Sequence, residues 1–237
     1  MKIPLEDNFN DILGKAQRGL QLSDDQLAKQ AGVSVAELNR AKEGQFEEAV
    51  ARKLAPVLGL GADALAASGK KAWYPKDPGA VEGLACFNTP YGDMTVNSYL
   101  LWDPKTKQGV CFDTGADAAG MLKAARENGL RIQLILLTHT HPDHIADLAR
   151  LKKETGAAAF VCRLEALDGA DSFDAGKKFT VGPLQIDTRQ TSGHSRGGIT
   201  YVLSGLGRRM AVAGDAMFAG SMGGGIVSYQ DALHNNR

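Results

Sequence analysis

A chain of 237 residues, 43% hydrophobic and 23% charged, has the length to bury a core in one or two domains. Its 27 Lys and Arg balance 27 Asp and Glu, so no net charge draws it to nucleic acid, a membrane surface or an acidic substrate. Met1–Lys15 is polar and acidic where a signal peptide needs an apolar centre, and no apolar run reaches the roughly 18 residues of a membrane span. Three scattered cysteines, Cys86, Cys111 and Cys162, without a CxxC, read as reduced thiols of a cytoplasmic protein, each a small core hydrophobe.

The chain opens with helical spacing. Apolar residues recur as Leu13, Ala16 and Leu20, then Leu27, Ala28 and Ala31, then Val35, Leu38 and Ala41, then Phe46, Val50, Leu54 and Val57. Ser23 and Ser34 are N-cap residues for the second and third segments. Gly59–Gly61 ends the fourth, and a short last helix is expected from Ala62 to Ala67. These elements predict a small all-α domain over 1–68. The stretch "SGKKAWYPKDPGAVEG" then changes composition, and 69–80 is expected to be a linker.

From residue 81 to 237 short β-branched runs predict strands at Thr95–Trp102, Gly109–Asp113, Ile132–Thr138, Ala158–Val161, Phe179–Ile186, Ile199–Leu203 and Met210–Ala213. Helical patterns interrupt them at Ala116–Asn128 and Ile145–Glu154. Strands apolar on both faces, mixed with helices, predict a layered α/β or α+β domain.

"LTHTHPDHIADL", Leu137–Leu148, carries three of the five histidines at the end of an apolar strand. Pro142 stops a helix from running back through His141, so His139 and His141 lie in an extended loop and share a side. Two imidazoles so placed can hold one metal; Asp143 and His144, at the start of the next helix, can face a second. His194 follows in "TSGHSRGG", and Asp215 leaves the apolar strand of "MAVAGDAMF". A carboxylate there needs a partner, and a metal supplies one. Imidazole with carboxylate suits zinc, with iron or manganese as alternatives.

HxHxDH, GHS and GDxxF, in this order, resemble the metallo-β-lactamase superfamily, and "VNSYLLWD" and "VCFDTGA" are similar to its early strands. The resemblance implies an αββα sandwich with metal at one edge between the sheets. It implies that His139, His141 and His194 bind a first ion, that Asp143 and His144 bind a second, and that Asp215 bridges both. Asp113 would orient a ligand from behind; a plain turn aspartate is the alternative. Asp143 would orient a metal-activated water for attack on a carbonyl. Relatives of the glyoxalase II type add a histidine from a strand near their C-terminus; after Asp215 only His234 remains, in a helical pattern, so the domain is expected to lack that strand.

Leu22–Gly44 resembles the helix-turn-helix of the Cro/CI repressor class and is also similar to the N-terminal domain of cyanase, which serves assembly. Residues 1–68 carry 8 Lys and Arg against 10 Asp and Glu, a net of −2, contrary to a phosphate-binding footprint. A homodimer through this domain is therefore preferred to DNA. The expected function is a metal-dependent hydrolase of a small ester, thioester or lactone. The alternatives are a mononuclear iron persulfide dioxygenase using His139, His194 and Asp215, and a DNA-binding regulator with a metal-binding sensor domain. Substrate-binding residues are left open: Arg196 reads as an exposed loop cation, and Met217, Phe218 and Met222 as core.

Overall fold

The structure, a computed structural model, describes residues 5–236. The chain divides into two compact units, 1–77 with 217–237, and 78–216.

The first unit begins with five helices, α1 Phe9–Gly19, α2 Asp24–Ala31, α3 Val35–Lys42, α4 Glu48–Val57 and α5 Ala62–Gly69. The two predicted serine caps form as capping boxes. Ser23 Oγ accepts Gln26 N–H at 3.2 Å while Gln26 returns a bond to Ser23 N–H at 2.9 Å, and Ser34 pairs likewise with Glu37. The apolar spacing becomes a shared core of Leu13, Leu27, Leu38, Leu54 and Leu58, all nearly inaccessible to solvent.

The second unit is a two-sheet sandwich. One sheet has six strands in sequential order: β1 Leu84–Tyr91, β2 Met94–Trp102, β3 Gln108–Phe112, β4 Arg131–Leu136, β5 Ala158–Cys162 and β6 Asp171–Phe173. Strands β1 to β3 pair antiparallel, and β3 to β6 parallel. β3 is buried along Gly109–Phe112, as a central strand covered on both faces must be. The parallel connections carry α6 Ala119–Glu127, the single turn α7 Pro142–Ile145 and α8 Leu148–Thr155. Met121, Leu122, Leu148 and Leu151 pack from these helices onto Cys111, Ile135 and Val161. The second sheet, β7 Lys178–Val181, β8 Leu184–Gln190, β9 Ile199–Ser204 and β10 Met210–Val212, is antiparallel in the order β10-β9-β8-β7. Phe112, Leu136, Phe173, Ile186, Tyr201 and Leu203 fill the space between the sheets.

The expected single strand Phe179–Ile186 is instead a hairpin. Val181 pairs with Leu184 around Gly182–Pro183, and Gly182 takes φ +56° at the turn. β1 and β6 were not foreseen. β1 is an edge strand containing Pro90 and mostly polar or exposed positions, and β6 has three residues, so neither carries a period-two apolar signal. Cys111 and Cys162 are buried as expected, but Cys86 is exposed on that edge strand, which corrects its assignment to the core.

The sandwich unit closes at Ala216, short of the 237 expected for the α/β domain. Beyond it, α9 Tyr229–Asn235 is capped by Ser228, whose Oγ accepts Asp231 N–H at 3.2 Å. Tyr229 is buried in the helical core, where Met222 and Leu233 also pack. Tyr229 and Leu233, four residues apart on α9, find burial together on one helix face. His234 sits on the exposed side of α9. No described helix is long and apolar enough to cross a membrane.

Candidate metal centre

The site is built at strand ends of the sandwich unit. β4 runs into Leu137 and Thr138, and the chain then turns out through His139, Thr140 and His141 into α7. Pro142 is the first residue of α7, where its fixed φ is favourable and no N–H is missed. The turn brings His144 back beside His139, with ring centroids 4.1 Å apart. His141 and His194 lie 4.5 and 5.2 Å from His139 by the same measure.

Asp215 follows β10 in a short 3-10 turn, Gly214–Ala216. Gly214 has φ +51°, and a Cβ there would run into the Thr138 side chain. Glycine therefore lets the end of β10 lie against the end of β4, and this contact delivers the carboxylate to the histidines.

One potential ligand atom each from His139, His141, His194 and Asp215 lies within 4.8 Å of the others. In a tetrahedral site with bonds of about 2.1 Å, ligand atoms stand about 3.4 Å apart, so the widest pair would draw in by about 1.4 Å on closing around an ion. His139 is 2% exposed and its Nε2 has no hydrogen-bond partner. An orphaned buried nitrogen facing other ligands is what a metal would satisfy. Burial, helped by the neighbouring imidazoles, pushes the His139 pKa down to about 2, which keeps the ring in the neutral, ligating form. His141 Nδ1 and His194 Nε2 point at each other at 2.9 Å, and His194 Nε2 lies 3.3 Å from Asp215.

Asp143 and His144 form the adjacent group. His144 Nε2 is 3.5 Å from Asp143 and 3.3 Å from Asp215, so Asp215 stands between the two sets. Burial alone would lower the His144 pKa, but Asp113 and Asp215 outweigh it and raise it to about 10. Burial would likewise raise the Asp215 carboxyl, but the His144 contact and the surrounding imidazoles hold it below the usual carboxylate range.

Asp113 sits behind both sets, 1% exposed, at φ +56° immediately after β3. Its Oδ1 accepts Thr138 N–H at 2.7 Å, and its Oδ2 meets Thr138 Oγ1 at 2.7 Å and His144 Nδ1 at 2.8 Å. The left-handed backbone aims the carboxylate inward, and with Nδ1 held by Asp113, Nε2 of His144 is turned toward Asp143 and Asp215.

The sequence did not point to three further groups. Glu165, in the 3-10 turn after β5, bonds both Thr140 and Gly197. Thr114 Oγ1 donates to His144 O at 3.1 Å. Tyr201 OH donates to Leu137 O at 2.7 Å. None lies in a ligand motif, and Glu165 looks in sequence like an ordinary surface glutamate. Arg196 is exposed, as expected. Met217, Phe218 and Met222 belong to the helical unit; Met222 packs on its core, but Met217 is exposed, which corrects its assignment to the core.

The sequence pattern of the family described as "Metallo-beta-lactamase superfamily" matches residues 91–235. The chain belongs to the metallo-β-lactamase superfamily. Among superfamily members it is 27% identical over 157 residues to the hydroxyacylglutathione hydrolase of Pseudomonas entomophila (strain L48), covering 66% of this chain and 58% of that protein. It is 34% identical over 123 residues to the enzyme of the same name from Methylobacterium nodulans, covering 50% and 47%. It is 30% identical over 122 residues to the mitochondrial persulfide dioxygenase of Homo sapiens, covering 51% and 47%. The chain thus spans about half the length of these curated relatives. The fold matches the crystal structure of the BLEG-1 B3 metallo-β-lactamase with a TM-score of 0.55 at 22% identity, over 64% of this chain and 83% of that one.

Proposed function

We propose that this chain is a metal-dependent hydrolase of a small ester, thioester or lactone. One observation carries the proposal: four ligand atoms, from His139, His141, His194 and Asp215, converge beside an unpartnered, buried His139 Nε2. The hydroxyacylglutathione hydrolases among its relatives favour a thioester. In this reading His139, His141 and His194 would hold a first ion, Asp143 and His144 would hold a second, and Asp215 would be within reach of both. Zinc suits the imidazole and carboxylate set, with iron or manganese as alternatives. When bound, the metal supplies Lewis acidity and a water of lowered pKa.

The chain's own residues do the rest. Asp113 fixes the His144 ring, leaving Nε2 directed into the site. Asp143, whose side chain is 16% exposed against 26% for Asp215, is open to solvent at the site, and we assign it the hydrogen bond that would orient a water there. The test is to load purified protein with zinc, manganese or iron and assay a panel of thioesters, esters and lactones. Turnover of a thioester that disappears in Asp143→Asn supports the proposal, and no turnover of any member by any metal form refutes it.

The resemblance to persulfide dioxygenase supports a second reading, a mononuclear iron centre on His139, His194 and Asp215. One iron per chain with oxygen uptake would establish it, and two zinc ions per chain would refute it. For the helical unit we propose self-association rather than DNA binding, because its first 68 residues carry a net charge of −2.

A further inference from the structure

We propose that Glu165 is a positioning residue of the metal centre, a single carboxylate that ties the loop of His139 and His141 to the loop of His194. The inference rests on the metal-site reading above. Thr140 lies between the first two histidines, and Gly197 lies three residues after His194. Glu165 Oε2 accepts Thr140 N–H at 3.1 Å and Thr140 Oγ1–H at 3.3 Å. Glu165 Oε1 accepts Gly197 N–H at 2.9 Å. The two oxygens thus serve two different loops. One loop follows β4 of the six-stranded sheet, and the other precedes β9 of the four-stranded sheet.

Gly197 is shaped for this contact. A Cβ there would lie 3.0 Å from Glu165 Cγ, 3.1 Å from Glu165 Cβ and 3.2 Å from Cys162 Cβ. The glycine lets the glutamate pass close under the backbone. Beside this clamp, Ile199 N–H bonds Thr138 O at 2.9 Å. That bond fixes the base of the two loops, and Glu165 fixes them nearer their ligand residues. Burial would raise the Glu165 carboxyl, yet the donors from Gly197 and Thr140 hold it below its ordinary value. The acceptors on both sides are therefore kept ionised.

The geometry needs two acceptors. A glutamine of equal size offers one, and its amide N–H₂ must face either Thr140 N–H or Gly197 N–H, donor against donor. Glu165→Gln therefore tests positioning with little change of volume. Metal affinity is measured on full chain by competition with a chromophoric chelator, and the visible absorption of the cobalt form reports ligand geometry. Glu154→Gln, which removes a surface carboxylate paired with Arg126 and Arg150, is the control.

The expected result is a 10- to 100-fold loss of metal affinity in Glu165→Gln, the span typical of residues that orient ligands, with a changed cobalt spectrum. Amide exchange at Thr140 and Gly197 in the metal-free protein should accelerate, while Glu154→Gln stays within threefold of wild type. Wild-type affinity and spectrum in Glu165→Gln would overturn the proposal alone. A wild-type chain that binds no metal would overturn the metal-site reading and this inference with it, before any substitution is made. If Glu165→Gln does not fold, Gly197→Ala reads the same contact from the other side: weaker metal binding with a changed spectrum supports the clamp, and wild-type behaviour overturns it.

Discussion

Asp113 separates stability from metal chemistry. In Asp113→Ala three donors lose their acceptor: Thr138 N–H, Thr138 Oγ1–H and His144 Nδ1–H. The Thr138 hydroxyl can turn to His139 Nδ1, 3.1 Å away, so two buried donors remain stranded. At about 1–3 kcal/mol each, the loss is about 2–6 kcal/mol, a large part of the ~5–15 kcal/mol typical of a domain. Asp113→Asn behaves differently. Its oxygen can keep the Thr138 N–H, but its N–H₂ faces His144 Nδ1, which must then become an acceptor. The neutral ring then carries its proton on Nε2, the atom that faces Asp143 and Asp215, and a protonated nitrogen cannot bind a metal. The expected stability cost is about 1 kcal/mol, whereas the weaker of two metal-binding steps falls 10- to 100-fold. Urea unfolding of the metal-free variants and chelator titration with elemental analysis measure the two quantities. An Asn variant with a wild-type second binding step, or an Ala variant within about 0.5 kcal/mol of wild type, would refute the orienting role.

Four more outcomes follow from the same structure. Tyr201→Phe removes the buried bond to Leu137 O and should cost about 1 kcal/mol in urea unfolding; no change would mean that the hydroxyl is not holding the strand end. Cys86 is exposed while Cys111 and Cys162 are buried, so a thiol reagent should label one cysteine quickly in native protein and all three only in denaturant; two fast thiols would contradict the packing. Saturating metal at about 100 times Kd should stabilise the chain by about 2.7 kcal/mol, and a chelator should abolish that gain in a melting experiment. His139→Ala should melt at one temperature with or without metal.

The parts legible in sequence are those written in near neighbours. Ser23 with Gln26 and Ser34 with Glu37 satisfy helix ends within three residues, so the caps could be named from spacing alone. HxHxDH sets four candidate ligand side chains on six residues whose conformation Pro142 constrains, and the strand before it was visible as an apolar run. Strands β1 and β6 were invisible because an edge strand and a three-residue strand need a partner, not an apolar period, to exist. The segment after Ala216 was assigned to the sandwich by continuity, although its apolar residues find burial among helices.

By itself the sequence determined the kind of chemistry: imidazoles and carboxylates gathered at strand ends, and a helical unit with its own caps and apolar faces. Only the tertiary structure decided which groups hold those side chains in place. His144 meets Asp113 from 31 residues away, Thr140 meets Glu165 from 25, and Gly197 meets it from 32. Such bonds have no local period to betray them. The first two exist because β3, β4 and β5 lie side by side in one sheet and end at the same edge, and the third because the second sheet stacks on the first and brings its loop within about 3 Å, the range in which a hydrogen bond forms.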